Sequence, residues 1–138
     1  MTDHAEGDRE LTDEAQLLEI LREMKELGHF KASLLVDMEG LTLSSISSPF
    51  DNETIAAMVA LVKNSIRQAR EQIGLDDVDE VSVVQGDKMR LVCRYFVAGG
   101  EELILAAIAP PHQTYRQLTN RAIRQVKVMW KPSSRGRY

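Results

Sequence analysis

The run Leu103-Ile104-Leu105-Ala106-Ala107-Ile108-Ala109 is apolar throughout, with no polar alternation. A strand of this composition is apolar on both faces, so it belongs in the middle of a sheet with a layer on each side. Ala98-Gly99-Gly100 turns the chain into it, and Pro110-Pro111 ends it. Working outward, Lys88 to Val97 reads as the strand before that turn. Glu80 to Gln85 reads as a further strand, joined to it by a turn at Gly86-Asp87. Upstream, Phe30, Ala32, Leu34 and Val36 alternate with Lys31, Ser33, Leu35 and Asp37, a strand from Phe30 to Asp37. Asp37-Met38-Glu39-Gly40 is a turn in which Gly40 supplies a positive φ. Leu41 to Ile46 completes a hairpin, and the Ser-rich segment Ser44 to Pro49 ends it.

Three helices punctuate these strands. Thr12 or Asp13 caps a first helix running to about Leu27, with Leu17, Leu18, Leu21 and Met24 on one side and Gly28 just past its end. Asp51 or Asn52 caps a long helix to about Ile73, stopped by Gly74. Its apolar seam is Ile55, Val59, Val62, Ile66, Ala69 and Ile73. The last helix, about Thr114 to Trp130, carries a buried stripe of Tyr115, Leu118, Ala122, Val126 and Met129. The order is helix, two strands, helix, three strands, helix. The expected organisation is a disordered acidic start at 1–10, one α/β (α+β) domain at 11–130, and a basic flexible tail at 131–138.

Composition narrows the function. The 138 residues are enough for one domain whose core needs neither disulfide nor metal. The single cysteine, Cys93, sits in an apolar run and reads as a reduced core thiol. With no apolar leader and no run long enough to span a bilayer, the expected location is the cytoplasm. All 21 acidic residues lie at or before Glu102, against 10 basic ones, whereas the chain from Leu103 onward has 7 basic residues and no acid. The C-terminal helix and tail are therefore positive and the rest negative.

No catalytic constellation assembles from these residues. His4, His29 and His112 are scattered and show no metal-ligand spacing. Cys93 has no nucleophile motif around it. Gly99-Gly100 is followed by a strand and by no Lys-Ser or Lys-Thr, so it is not a phosphate loop. Asp76, Asp77, Asp79 and Glu80 fail the EF-hand spacing and read as a solvated loop that keeps the neighbouring strand edge soluble. No cofactor is implied.

Two surface features remain. On the long helix, with Ile55 at zero, Lys63, Arg67 and Arg70 fall together at about 60° to 120°, a basic ridge beside the seam. Glu71 is the only nearby acid on that half of the helix, and it points away. Met58, Leu61 and Ser65 occupy the other flank. Met58 and Leu61 either widen the core stripe or meet a partner helix. On the last helix, Arg116, Arg124, Lys127 and Lys131 lie near one face, either a solvated face or a contact for nucleic acid or an acidic partner. Aromatic interleaving there is poor, which weighs against nucleic acid.

The ordered set of segments resembles the Roadblock/LC7 domain, in its prokaryotic small-GTPase co-regulator form. The resemblance rests on the hairpin Ala32-Ser33-Leu34-Leu35-Val36-Asp37-Met38-Glu39-Gly40-Leu41, the Ala-rich helix from Thr54 to Ile73, the Gly-bounded strands from Val81 to Ala109, and the helix from Tyr115 to Met129. It covers roughly residues 14–130. It implies a five-stranded antiparallel sheet of order 2-1-5-4-3, with the long helix on one face and the terminal helices on the other. It further implies a dimer through the third strand's edge, with Met58, Leu61, Ser65, Val81, Val83 and Gln85 at the contact. It implies no catalytic residues and a Ras-like small GTPase as partner, for which Lys63, Arg67 and Arg70 are the expected surface. The dimer's second chain is a copy of itself or a paralogue. Two other readings of the residues stay open: a small-ligand sensor and a nucleic-acid-binding module using the basic tail.

Overall fold

A computed structural model of the chain describes the backbone of residues 2–130 and the side chains of residues 13–130. The expected flexible tail at 131–138 lies outside the described residues, as do the side chains of the acidic start. The elements are α1 (Thr2–Gly28), β1 (Ala32–Asp37), β2 (Thr42–Ser45), α2 (Asn52–Ile73), β3 (Glu80–Val84), β4 (Arg90–Ala98), β5 (Glu101–Ala109) and α3 (Arg116–Met129). They form one five-stranded sheet of order β2-β1-β5-β4-β3, with every neighbouring pair antiparallel. The Roadblock-type topology and the central place of the apolar strand are both as the sequence implies.

β5 explains the layering. Leu103, Leu105, Ala107 and Ala109 belong to one core cluster with Leu17, Leu21 and Met24 of α1 and Ala122 and Val126 of α3. Ile104 and Ala106 belong to a second cluster with Ile55, Ala56 and Val59 of α2. Alternate residues of one strand thus feed two cores, and neither core can form without the other layer. β1, beside it, is buried along its whole length. The alternation read for β1 is therefore not an inside–outside pattern. Ser33 is buried and donates to the Leu21 carbonyl at 3.3 Å. Asp37 Oδ1 accepts from the Glu39 and Leu41 N–H groups, 2.9 Å each, closing the hairpin turn. Both polar side chains are buried because they satisfy backbone groups there.

The helix ends depart from expectation in instructive ways. α1 begins well before Thr12 and Asp13, because Ala5, Glu6, Arg9, Glu10 and Leu11 are good helix formers, and the helix carries Gly7 among them at a cost of about 1 kcal/mol. At its other end Gly28 is the last helical residue, and His29 takes the left-handed turn at φ 53°. Gly28 is needed for space: a Cβ there would lie 2.7 Å from the Phe30 ring and 2.9 Å from Leu118. α2 matches its signals. Asp51 accepts from the Glu53 N–H at 3.1 Å and from the Thr54 hydroxyl at 2.9 Å. Those two bonds hold its carboxyl below the usual range, the Thr54 hydroxyl contributing most. Gly74 ends the helix at φ 73°.

The α2 seam, however, is buried only at its start. Ile55, Ala56 and Val59 are buried, Val62, Ile66 and Ala69 are half-buried, and Ile73 is 70% exposed. The C-terminal half of α2 overhangs the sheet. Among the described residues no helix is long and apolar enough to cross a membrane.

Gly74→Ala forces a Cβ onto a left-handed cap with open space around it. It should lower stability by about 1 kcal/mol in urea unfolding, leaving the slope with denaturant unchanged.

Candidate self-association and partner interface

β3 is an edge strand, paired only with β4. Its register places Val81 opposite Cys93 and Val83 opposite Leu91. Directly opposite residues share a face, and Cys93 and Leu91 belong to the core cluster beneath α2. Val81 and Val83 therefore look toward the α2 side of the sheet. α2 covers β1 and leaves this part of the sheet open. Val83 is 52% exposed, and Met58 and Leu61 on α2 are 52% and 66% exposed. A cleft of about 400 Å³ separates helix from strand there, with Phe50, Met58, Val83 and Leu91 in its walls. Met58 and Leu61 thus do not widen the core stripe. Ser65 is exposed and bonds the Leu61 carbonyl, Val81 is half-buried, and Gln85 lies just past the end of β3 with its N–H on the Met89 carbonyl. The structure gathers Met58, Leu61 and Val83 around one uncovered strip, with Val81 beside it.

The basic ridge is less free than its wheel position implies. Lys63 is half-buried and donates to the Met38 carbonyl at 2.7 Å, tying α2 to the β1–β2 turn. Arg70 pairs with Asp77 at 2.9 Å. Glu71 is thus not the only acid within reach, because the loop after Gly74 folds back along the helix. Among the described residues Arg67 hydrogen-bonds Asn64 of its own helix, at 2.8 Å, and forms no ion pair. All three line a second cleft, of about 570 Å³, beneath the overhanging half of α2, together with Tyr95, Val97 and Glu102. The Tyr95 hydroxyl is buried and has no hydrogen-bond partner among the described residues, and burial raises its pKa.

Sequence reasoning missed the group that fixes the β3 edge. Asp79 and Glu80 are not merely a solvated loop. Arg94, buried on the α1–α3 side of β4, reaches Asp79 at 3.2 Å, Thr119 Oγ1 at 2.6 Å and Asn120 Oδ1 at 2.8 Å. Arg116 of α3 bonds Glu80 at 2.5 Å and Asp79 at 2.9 Å. Tyr115 donates its hydroxyl to Glu80 at 2.6 Å, while its half-buried ring packs against the α1–α3 core with the rest of the stripe. A charged residue in the middle of a strand was the available signal, since Arg94 there needs an acid. Partial burial works to raise both acid pKa values. It is outweighed at Asp79 by Arg116 and Arg94, and at Glu80 by Tyr115, Arg116 and Ser82, so both carboxyls sit below the usual range.

The positive face of α3 is also partly spent. Arg116 is bound as above, and Arg121 pairs with Glu23 of α1 at 2.7 Å. Arg124 and Lys127 remain exposed, while Lys131 lies outside the described residues. Burial pushes the Cys93 thiol up to about 11, with the charge of Glu80 adding to it, so it stays protonated and unreactive.

No protein-family model and no curated protein matches the chain. Solved structures match its fold. An MglB with a tetrameric arrangement has a TM-score of 0.71 at 19% identity, covering 85% of this chain and 89% of that one. MglB from Myxococcus xanthus has a TM-score of 0.70 at 17% identity, covering 82% and 93%. A Roadblock/LC7 domain from Streptomyces avermitilis has a TM-score of 0.67 at 21% identity, covering 80% and 92%. The chain has the Roadblock/LC7 fold.

Carboxylates whose native pKa is lowered bind protons more readily when unfolded, so their stabilisation is complete at neutral pH and is lost as pH falls. The loss should begin near the ordinary values of 3.8 and 4.5 for Asp79 and Glu80 and run below them. In Arg116→Gln the acid limb of stability against pH should be shallower, measured by urea midpoints from pH 7 to pH 3.

Proposed function

We propose that this chain is a non-catalytic binding protein that dimerises through β3 and α2 and, as a dimer, engages a Ras-like small GTPase and modulates its GTP hydrolysis. The observation that supports it best is the uncovered strip formed by the β3 edge, Val83, Met58 and Leu61. An unpaired edge with apolar neighbours invites a second strand. Two β3 edges related by a two-fold axis form an isologous contact that extends the sheet and sets two α2 helices side by side. A paralogue with the same edge would fit equally. The fold is shared with MglB, one structure of which is a gliding protein and another of which has a tetrameric arrangement.

The GTPase partner rests on the Roadblock resemblance. Arg67 is the most available cation of the proposed contact, because Lys63 and Arg70 are held within the chain. Two α2 helices side by side present two such surfaces, so two protomers serve one GTPase. The cleft beneath α2, with the buried Tyr95 hydroxyl in its wall, favours the small-ligand sensor as the second reading. Ion pairing of Arg116 and Arg121 weakens the nucleic-acid reading.

Light scattering at about tens of micromolar should give a dimer, the range over which stable dimers persist. Val83→Asp should give a folded monomer, because a charge in an apolar contact is not tolerated. A monomeric unsubstituted chain would falsify the dimer.

Purified alone, the chain should release no phosphate from GTP. With a Ras-like GTPase in its GTP form, Arg67→Glu should weaken binding about tenfold at low salt through a slower association rate, while leaving the dimer intact. Equal affinity for the two proteins moves the contact off α2.

A further inference from the structure

We propose that the cleft between the β3–β4 turn and the β5–α3 connection is a binding site for a phosphate-sized oxyanion, held by Lys88, Arg90 and His112. The cleft measures about 200 Å³, and Val84, Ala109 and Pro110 form its apolar wall. That is below the roughly 300–1,000 Å³ of pockets for drug-sized ligands.

The backbone at this place is unusual. The sequence puts the β3–β4 turn on Gly86-Asp87, yet the left-handed residue is Lys88, at φ 77°. The Lys88 N–H donates to the Gln85 carbonyl at 2.9 Å, which fixes that conformation. In the second turn the Gln113 N–H donates to the Pro110 carbonyl at 3.4 Å, and His112 takes φ 62°. Glycine is the usual residue at such positions. Among the described residues only His29, Lys88 and His112 are non-glycine residues at positive φ. Two of these three line one small cleft, and both are basic. A side chain kept at a conformational cost points to a use for that side chain.

The charges there are uncompensated. No carboxylate lines the cleft. Arg22, Arg70, Arg94, Arg116 and Arg121 all have carboxylate partners, whereas no ion pair among the described residues involves Lys88, Arg90 or His112. Arg90 is instead positioned by Tyr115, with its guanidinium 5.3 Å from the ring centroid and Nη1 3.2 Å from the hydroxyl. The nearest acids are engaged elsewhere. Asp87 Oδ1 accepts from the Met89 N–H at 2.9 Å, and Glu80 takes Tyr115 and Arg116. α3 starts beside the cleft with Tyr115 as its N-cap, no side-chain cap and no acid in its first turn. The first turn of α3 thus supplies no acid of its own to offset the helix dipole there. A guanidinium fork, an ammonium and an imidazole N–H together match the oxygens of a phosphoryl group. Arg90 also lines the cleft beside Met58 and Val83, so the two sites adjoin at the β3–β4 hairpin, but anion binding by the chain does not depend on the GTPase reading.

The test is a nitrogen-15 amide titration of the full chain with inorganic phosphate, against sodium chloride at matched ionic strength. Saturable shifts at Lys88, Arg90, His112 and Gln113 that chloride does not reproduce are expected. The double variant Lys88→Gly, His112→Gly should fold with an equal or higher Tm, because glycine relieves both turns. It should bind phosphate at least about tenfold more weakly, since it loses two charge-assisted hydrogen bonds. O-phosphoserine is the second ligand. Binding tenfold tighter than inorganic phosphate identifies a phosphomonoester as the natural group, and equal binding identifies free phosphate. Shifts no larger than those with chloride, or undiminished phosphate binding by the double variant, would overturn the site.

Discussion

The burial of β5 on both faces is the constraint on which the rest of the structure depends. A strand apolar on both sides leaves its backbone bonded to two neighbours and its side chains in two separate cores. Burial of an aliphatic side chain is worth about 1.5–3 kcal/mol, so neither face can be left wet. α1 and α3 together close one face, while α2 closes only part of the other. The asymmetry follows from chain length and direction. α2 buries Ile55, Ala56 and Val59 against β1 and the centre near its start, and then overhangs. The uncovered remainder is the α2 side of β3 and β4.

That remainder is also where the sheet ends, and the Arg94 cluster holds it in place. A buried guanidinium is costly unless each of its donors is met. Here Asp79, Thr119 and Asn120 meet them, drawn from the β3 approach and from α3. The edge strand is therefore fastened to the α3 layer on one face while its other face stays apolar and open. A fixed edge offers a preorganised surface to a second chain, which lowers the ordering cost of association. The fastening lies on the opposite side of the sheet from the strip it presents, so the two do not compete for the same side chains.

Glycine marked several turns legibly: Gly40, Gly74, Gly99 and Gly100 all take positive φ. Gly28 and Gly86 do not follow that rule. Gly28 is kept for the approach of Phe30 and Leu118, and beside Gly86 it is Lys88 that turns left-handed. A one-dimensional pattern reports local backbone preference, and at Gly28 the contact with Leu118 comes from elsewhere in the chain.

Periodicity and punctuation by themselves determined the eight elements, their order, the central β5 and the apolar flank of α2, because those depend on residues within one turn or one strand. The strand order came with the family resemblance, and the sheet bears it out. Only the tertiary structure decided which charges are free. Lys63, Arg70, Arg94 and Arg116 read alike in a sequence, yet one tethers a hairpin carbonyl, one meets a loop acid, one is buried in a network and one clamps the edge strand. Whether a charge is available to a partner depends on groups brought near it by folding, from 7 to 37 residues away along the chain. The sequence spacing of a helix wheel does not contain that information.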